Sequence, residues 1–160
     1  MPETFVSGLD NQVQAQMVDL LNERLADSID LTLAVKEAHW NLRGSGYIGV
    51  HELLDEVADR LREQSDLMAE RAAIMGGFAR GTTEATAKSK TLQPYPVELT
   101  DLQSHVRELV SRFKDHGAKV RAAIDAAGDA GDEDTADLFT EVSRELDKDA
   151  WFIGANAPAE

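Results

Sequence analysis

The sequence predicts an all-α protein: a four-helix bundle whose two helical hairpins are joined by a long crossover. In four long segments, apolar residues recur at spacings of three and four, which is typical of amphipathic helices. No segment shows the apolar–polar alternation that is typical of a strand. A connection of about 20 residues containing two prolines separates the second helical segment from the third, and a connection of that length lets the chain cross a bundle.

The first two helical segments form the first predicted hairpin. The first follows Asp10, a residue type that caps helix N-termini, and runs to about Asn41. After the glycine-containing loop Arg43–Gly46, the second helix runs from about Tyr47 to Met75. Two consecutive glycines then mark its C-terminus.

The crossover and the second hairpin follow. Residues 78–98 are rich in Thr, Ser and Pro, and we expect one short helix in them, near Glu84–Ser89. The third helix should begin between Glu98 and Asp101. The segment Ala126–Glu133 is predicted as a turn, and a fourth helix then ends at Gly154.

This order of elements is that of a ferritin-like four-helix bundle with a long crossover containing a short helix. A chain of 160 residues is long enough for one domain with a complete core, so we expect a single domain over residues 1–160. Residues 1–10 and 155–160 are predicted to be loose tails.

Composition limits the classes of function. No apolar run is long enough to span a membrane, and the N-terminus lacks the pattern of a secretory signal, so we expect a cytoplasmic protein. The chain has no cysteine, which excludes disulfides and thiol catalysis. The net charge of −14 disfavours passive binding to nucleic acid and favours cations, although acidity that serves only solubility is the alternative.

Four residues of the second helix have the spacing of a metal site shared across a two-fold axis. His51, Asp55, Asp66 and Glu70 lie on one stripe of the helix, but the first pair is roughly 22 Å from the second, too far to hold one ion. If a second copy lies antiparallel, His51 faces Glu70 and Asp55 faces Asp66. The dimer then contains two equivalent histidine–carboxylate sites.

Histidine at the end of the first helix would complete such a site. His39 and the four residues above offer imidazole and carboxylate ligands, which suit iron, zinc or manganese. Trp40 is either a core residue or a ring beside the metal that is available as an electron donor. The alternative for the whole pattern is a structural bundle whose acidic stripe is only solvated.

The chain resembles the Dps family, the miniferritins named as DNA-binding proteins from starved cells. The resemblance lies in KEAHWNLRG (36–44), HELLDE (51–56), Asp66, AER (69–71) and Gly76-Gly77, and in the ending DEDTADLFTEVSRELDKDAWFI (132–153). It covers nearly the whole chain, from about residue 12 to 154.

The resemblance implies a ferroxidase that oxidises Fe(II) to Fe(III), preferably with hydrogen peroxide, and stores ferric mineral in a hollow homododecamer built from two-fold dimers. It implies that His39, His51 and Asp55 of one subunit and Asp66 and Glu70 of its two-fold mate are the iron ligands. Asp59 and Glu63 are candidates for mineral nucleation on an acidic inner wall. Glu133 and Asp137 are candidates for an acidic pore, since members of the family line their three-fold pores with acids from this region.

One feature of the family is missing. DNA-binding members often carry a lysine-rich tail, whereas here the first basic residue is Arg24 and residues 155–160 contain none. We therefore do not expect direct DNA binding. The alternative function is a DNA-condensing nucleoid protein that acts by direct DNA binding, and it would require a basic surface elsewhere.

Overall fold

Five α-helices form the fold in the computed structural model, which describes residues 2–158. They are α1 (Asn11–Asn41), α2 (Tyr47–Ile74), α3 (Thr83–Ser89), α4 (Leu102–Asp129) and α5 (Glu133–Gly154). Helix α1 pairs with α2 and α4 with α5, and the hairpins join through contacts of α1 with α4 and of α2 with α5. The short α3 packs on α1. The predicted fold class, including the short helix in the crossover, is confirmed.

Side-chain caps start four of the five helices. The carboxylate of Asp10 accepts from the backbone N–H of Gln12 at 2.7 Å, and that of Asp101 from Ser104 at 2.8 Å. Thr82 and Asp132 cap α3 and α5 in the same way. Each cap satisfies an N–H group that has no partner inside the helix, so these residues fix where the helices begin.

Two glycines end α2, as predicted. Gly76 has a positive φ of 77°, and the N–H groups of Gly76 and Gly77 donate to the carbonyls of Ala73 and Ala72, both at 2.9 Å. This hydrogen-bond pattern closes a helix C-terminus. A Cβ on Gly77 would lie 2.4 Å from Cγ1 of Val18, so only glycine lets the chain pass so close to α1.

The second turn is shorter than predicted. Ala126–Asp129 belong to α4 and Glu133 begins α5, so the prediction of a turn over 126–133 is wrong at both ends. Gly128 lies in the predicted turn, but Ala127 beside it is fully buried in the core. That burial keeps the last turn helical, and Gly131 with φ 81° ends the helix instead.

Side chains from the four long helices fill one continuous core. Backbone hydrogen bonds at one end of it also join the two hairpins. The carbonyl of Arg43, between α1 and α2, accepts from the N–H of Leu102 at 2.9 Å, and its N–H donates to Thr100 at 2.7 Å. These bonds fix the end of α1 against the start of α4. The loop between α1 and α2, which carries the candidate histidines on either side, is thereby held in place.

The chain ends lie against the bundle where the structure describes them. The N–H of Phe5 donates to the carbonyl of Ile74 at 2.9 Å, and Gln103 donates to the carbonyl of Asn156 at 2.9 Å. Met1, Ala159 and Glu160, which the predicted loose tails include, lie outside the described residues. Among the described helices, none combines the length and apolar character that crossing a membrane requires.

Candidate metal centre

The α1–α2 hairpin brings His39 and His51 face to face. His39 lies in the last turn of α1 and His51 in the second turn of α2, and their rings stack with centroids 3.7 Å apart and planes 17° apart. His39 is buried and His51 is half-buried. The sharp loop between the helices therefore converts a separation of twelve positions in the sequence into direct contact.

Each histidine is oriented by the backbone of the other. Nδ1 of His39 lies 2.7 Å from the carbonyl oxygen of His51, and Nδ1 of His51 lies 2.8 Å from that of His39. A carbonyl oxygen can only accept, so each Nδ1 carries the hydrogen and donates. In the neutral form of each ring, Nε2 then keeps its lone pair, and this is the form of imidazole that binds metals.

Asp55 lies beside the histidines and is paired with a lysine. Its Oδ1 is 3.5 Å from Nε2 of His39, and Nζ of Lys36 donates to the same oxygen. The hydrogen bond from Lys36 holds the pKa of Asp55 below its usual range, so the carboxyl is ionised at neutral pH. Lys36 was not singled out in the sequence, although its position one helical turn before His39 is a signal that could have identified it.

Trp40 is not part of the core of a single chain. Its side chain is 67% exposed, which excludes the core interpretation within one subunit. Nζ of Lys36 lies 5.7 Å from the centre of its ring. Since Lys36 also contacts Asp55, the ring lies one side chain away from the candidate ligands.

Asp66 and Glu70 lie elsewhere on α2 and do not join the other three residues. Both are exposed, and at the rise of an α-helix Glu70 is roughly 28 Å along α2 from His51. Within residues 2–158, no three His, Cys, Asp or Glu side chains are arranged to hold one metal ion. One subunit therefore presents two separate parts of the predicted ligand set.

The predicted nucleation residues also lie on the exposed side of α2. Asp59 accepts a hydrogen bond from Nη1 of Arg62 at 2.7 Å. Glu63 lies at a groove between α2 and α5, together with Glu141 and Glu145 of α5 and three basic residues. The two carboxylates are available to solvent in one subunit, and their role in nucleation stays a prediction.

The predicted pore residues lie at the start of α5. Glu133 and Asp137 are exposed, as is Asp134 between them. Asp132 differs, because it is buried, caps α5 through Thr135 and accepts from Nη2 of Arg71 at 3.0 Å. Asp132 therefore has a structural role, and Asp134 lies 3.9 Å from Nη2 of the same arginine. The role of Glu133 and Asp137 in a pore stays a prediction.

Comparison with known proteins identifies the family to which the chain belongs. The ferritin family model, a ferritin-like domain, matches residues 18–157. The chain is 40% identical over 148 residues to the DNA protection during starvation protein of Agrobacterium fabrum, covering 92% of this chain and 91% of that protein. A protein of the same name from Mycolicibacterium smegmatis is 33% identical over 156 residues, covering 98% and 85%.

Solved structures give the same result. The tetragonal form of Mycobacterium smegmatis Dps superposes with a TM-score of 0.93 at 32% identity, over 99% of this chain and 96% of that one. DpsA14 from Streptomyces coelicolor also gives a TM-score of 0.93 at 32% identity, over 99% and 94%. The bundle, its crossover and the family match define a ferritin-like protein. Within that class, the chain belongs to the Dps family, as the sequence motifs indicated.

Proposed function

We propose that this protein is a ferroxidase that oxidises Fe(II) at sites shared between two subunits and stores the ferric product in a hollow dodecamer. Membership of the Dps family supports iron storage and DNA protection in general. The observation that carries the finer proposal is the half-site made by His39, His51 and Asp55. It presents two oriented imidazole lone pairs and an ionised carboxylate, but not a complete ligand set.

The half-site has the chemistry that a ferrous ion requires. Imidazole and carboxylate are ligands that suit a divalent first-row metal, and the hydrogen bonds of the two Nδ1 atoms leave Nε2 of each ring as the atom that would bind it once a partner completes the ligand set. The negative charge of Asp55 is balanced by Lys36 in the absence of metal. A bound metal cation would take over this role from the lysine. The hydrogen bonds between the two histidines hold the rings before the metal arrives, so little ordering is required on binding.

The remaining ligands would come from a partner subunit. A two-fold axis across α2 would place Asp66 and Glu70 of one subunit opposite Asp55 and His51 of the other. The exposure of Asp66 and Glu70 in one subunit is compatible with such an arrangement. Glu70 would bridge to a second iron.

Hydrogen peroxide is the proposed oxidant. One electron from each of two ferrous ions, together with two protons, reduces one peroxide to two waters and leaves two ferric ions. Paired transfer avoids the hydroxyl radical that a single ferrous ion would release. In this proposal iron enters through a pore containing Glu133 and Asp137, and ferric ions then cluster at Asp59 and Glu63, where neighbouring carboxylates reduce the repulsion between them.

Complementation between two inactive variants tests the shared site. His51→Ala and Asp66→Ala should each abolish rapid Fe(II) oxidation, because each breaks both sites of its own dimer. In a hybrid dimer, one site keeps both residues. Random mixing makes half of the dimers hybrid, so co-assembled variants should recover roughly a quarter of the wild-type initial rate with peroxide.

A second pair of variants is the matched control. His51→Ala and His39→Ala alter the same half-site, so no hybrid of these two contains an intact site. Hybrid shells should be verified with two affinity tags before rates are compared. If the His51→Ala and Asp66→Ala hybrids are as inactive as this control, the ligands are not shared across the axis.

DNA protection would then result from removing Fe(II) and peroxide. The alternative, condensation of DNA by direct binding, is disfavoured by the net charge of −14. We therefore propose that the protein protects DNA by removing Fe(II) and peroxide, and not by binding to it.

A further inference from the structure

Tyr95 in the crossover is hydrogen-bonded to a buried histidine of α4. Its Oη lies 2.6 Å from Nδ1 of His105, and the two rings are nearly parallel, with planes 16° apart. His105 is only 1% exposed, and its Nε2 lies 2.9 Å from the carbonyl oxygen of Leu99. The proposed iron chemistry uses neither residue.

The second hydrogen bond of His105 fixes where the protons are. The carbonyl of Leu99 can only accept, so Nε2 carries the ring hydrogen and Nδ1 keeps its lone pair. Tyr95 must therefore donate its hydroxyl hydrogen to Nδ1. The phenol is already bound to a base, at a distance over which the proton can transfer without diffusion.

Charged groups around the pair favour a neutral tyrosyl radical as the product if Tyr95 is oxidised. The guanidinium of Arg112 lies 4.7 Å from the centre of the Tyr95 ring and is fixed by the carbonyl of Pro94 at 2.6 Å. A cation at this position disfavours positive charge on the ring, so the ring can lose an electron readily only if its proton leaves as well. Asp101, whose charge interacts with His105, would stabilise the imidazolium.

The phenol is protonated at neutral pH and lies close to α1. Burial raises the pKa of Tyr95, the charge of Arg112 opposes that effect, and the charges of Glu108 and Glu37 raise the pKa further. Glu37 precedes His39 by two positions, so the ring is near the part of α1 that carries the candidate half-site.

We propose that Tyr95 and His105 form a proton-coupled electron donor that quenches one-electron oxidants inside the protein. Tyr95 gives one electron to an oxidant of the hydroxyl-radical class, which is reduced to hydroxide, and its hydroxyl proton moves to Nδ1 of His105. A neutral tyrosyl radical and an imidazolium remain. A ferrous ion then returns one electron, becoming ferric, and the proton returns to Oη. The source of the oxidant, incomplete reduction of peroxide by iron, rests on the proposed function, whereas the chemistry of the pair does not.

Flash oxidation of the iron-free protein tests the pair directly. A photogenerated ruthenium(III) tris-bipyridine complex is the oxidant, and electron paramagnetic resonance detects the radical. The chain has two tyrosines, so Tyr47→Phe isolates Tyr95 and Tyr95→Phe isolates Tyr47, which is partly exposed and serves as the matched control. In Tyr47→Phe, a neutral tyrosyl radical should form at a rate that does not depend on buffer concentration and that slows in deuterium oxide. In Tyr95→Phe, radical formation should require buffer as the base.

His105→Gln separates proton transfer from structure. Glutamine can still accept from Tyr95 and donate to Leu99, but its amide oxygen is too weak a base to take the proton. In the Tyr47→Phe background this change should slow radical formation by roughly 100-fold. If folded His105→Gln forms the radical at an unchanged rate, the pair only anchors the crossover. Oxidation of Tyr95 that depends on buffer concentration in Tyr47→Phe would lead to the same conclusion, and that test leaves His105 in place.

The oxidant's source is tested separately with Fe(II) and limiting peroxide. Freeze-quenched samples of Tyr47→Phe should show the same tyrosyl radical while iron is oxidised. If flash oxidation produces the radical but the iron reaction does not, the pair is not used against iron-derived oxidants. Failure of iron oxidation itself would contradict the proposed function and leave the flash result intact.

Discussion

His116 on α4 is fully buried and is held in its neutral form. Among the described residues, neither of its ring nitrogens has a hydrogen-bond partner. Burial lowers its pKa from the ordinary 6.5 to about 4, with the nearby Asp27 opposing that effect and Arg24 adding to it. The unfolded chain therefore binds a proton at His116 between these two pH values, while the folded chain does not.

This difference predicts that His116 makes the protein sensitive to acid. Stability should fall as pH drops below 6.5 and level off below the folded pKa of about 4. From neutral pH to about pH 5, the contribution of His116 should be a loss of about 2 kcal/mol. His116→Leu should lack this part of the loss, as measured by urea unfolding at matched protein concentration. Parallel losses in the variant and the wild type would assign the acid sensitivity to other groups.

At the scale of the helix, a buried ion pair joins α2 to α5. The Arg60 side chain on α2 donates from Nε and Nη2 to Oδ1 of Asp149 on α5, at 2.9 and 2.7 Å. Asp149 is fully buried, and burial raises its pKa despite the arginine. The neighbouring Arg62 pairs with Asp59 at 2.7 Å but is exposed.

These two arginines should differ greatly in their effect on stability. Arg60→Met leaves Asp149 buried without a partner and should lower the free energy of unfolding by about 3–5 kcal/mol. Arg62→Met removes an exposed pair and should change it by less than about 1 kcal/mol. Denaturant unfolding of both variants checks the prediction. Equal effects would show that the α2–α5 contact does not depend on this ion pair.

The boundaries of the helices were predictable where a side chain decides them locally. Asp10 and the glycine pair after α2 act within a few residues of their own position, so they can be read from the sequence. The end of α4 could not be read in this way. There, burial of Ala127 against other helices outweighs the local effect of Gly128.

At the scale of the whole molecule, the proposed pore predicts how iron enters a shell. Asp137→Asn should slow Fe(II) uptake, because a three-fold axis would present three copies of the carboxylate, and the slowing should diminish as salt screens the attraction. Asp19→Asn, which removes the same charge from an exposed position on α1, is the control. Uptake at the wild-type rate by an intact Asp137→Asn shell in low salt would remove Asp137 from the pore.

The charge of the whole molecule predicts weak DNA binding. With a net charge of −14 per chain, the protein should give little retardation of plasmid in a gel shift at neutral pH and moderate salt. Strong retardation that is lost at high salt would reveal a basic surface, and Lys88 and Lys90 of the crossover would be the first residues to replace. In that case direct binding would return as a function beside the iron chemistry.

The sequence by itself determined the class of fold, the family and the spacing of the five candidate ligands. These depend on helical periodicity, which is a property of the local chain, and on motifs that are contiguous. Only the tertiary structure decided how His39 and His51 orient each other, that Lys36 balances Asp55, and that Asp132 pairs with Arg71 of α2 while Asp137 is exposed. It also brought Tyr95 to His105. Each of these contacts joins separate elements or depends on the direction of a side chain, and both are fixed by packing, not by position along the chain.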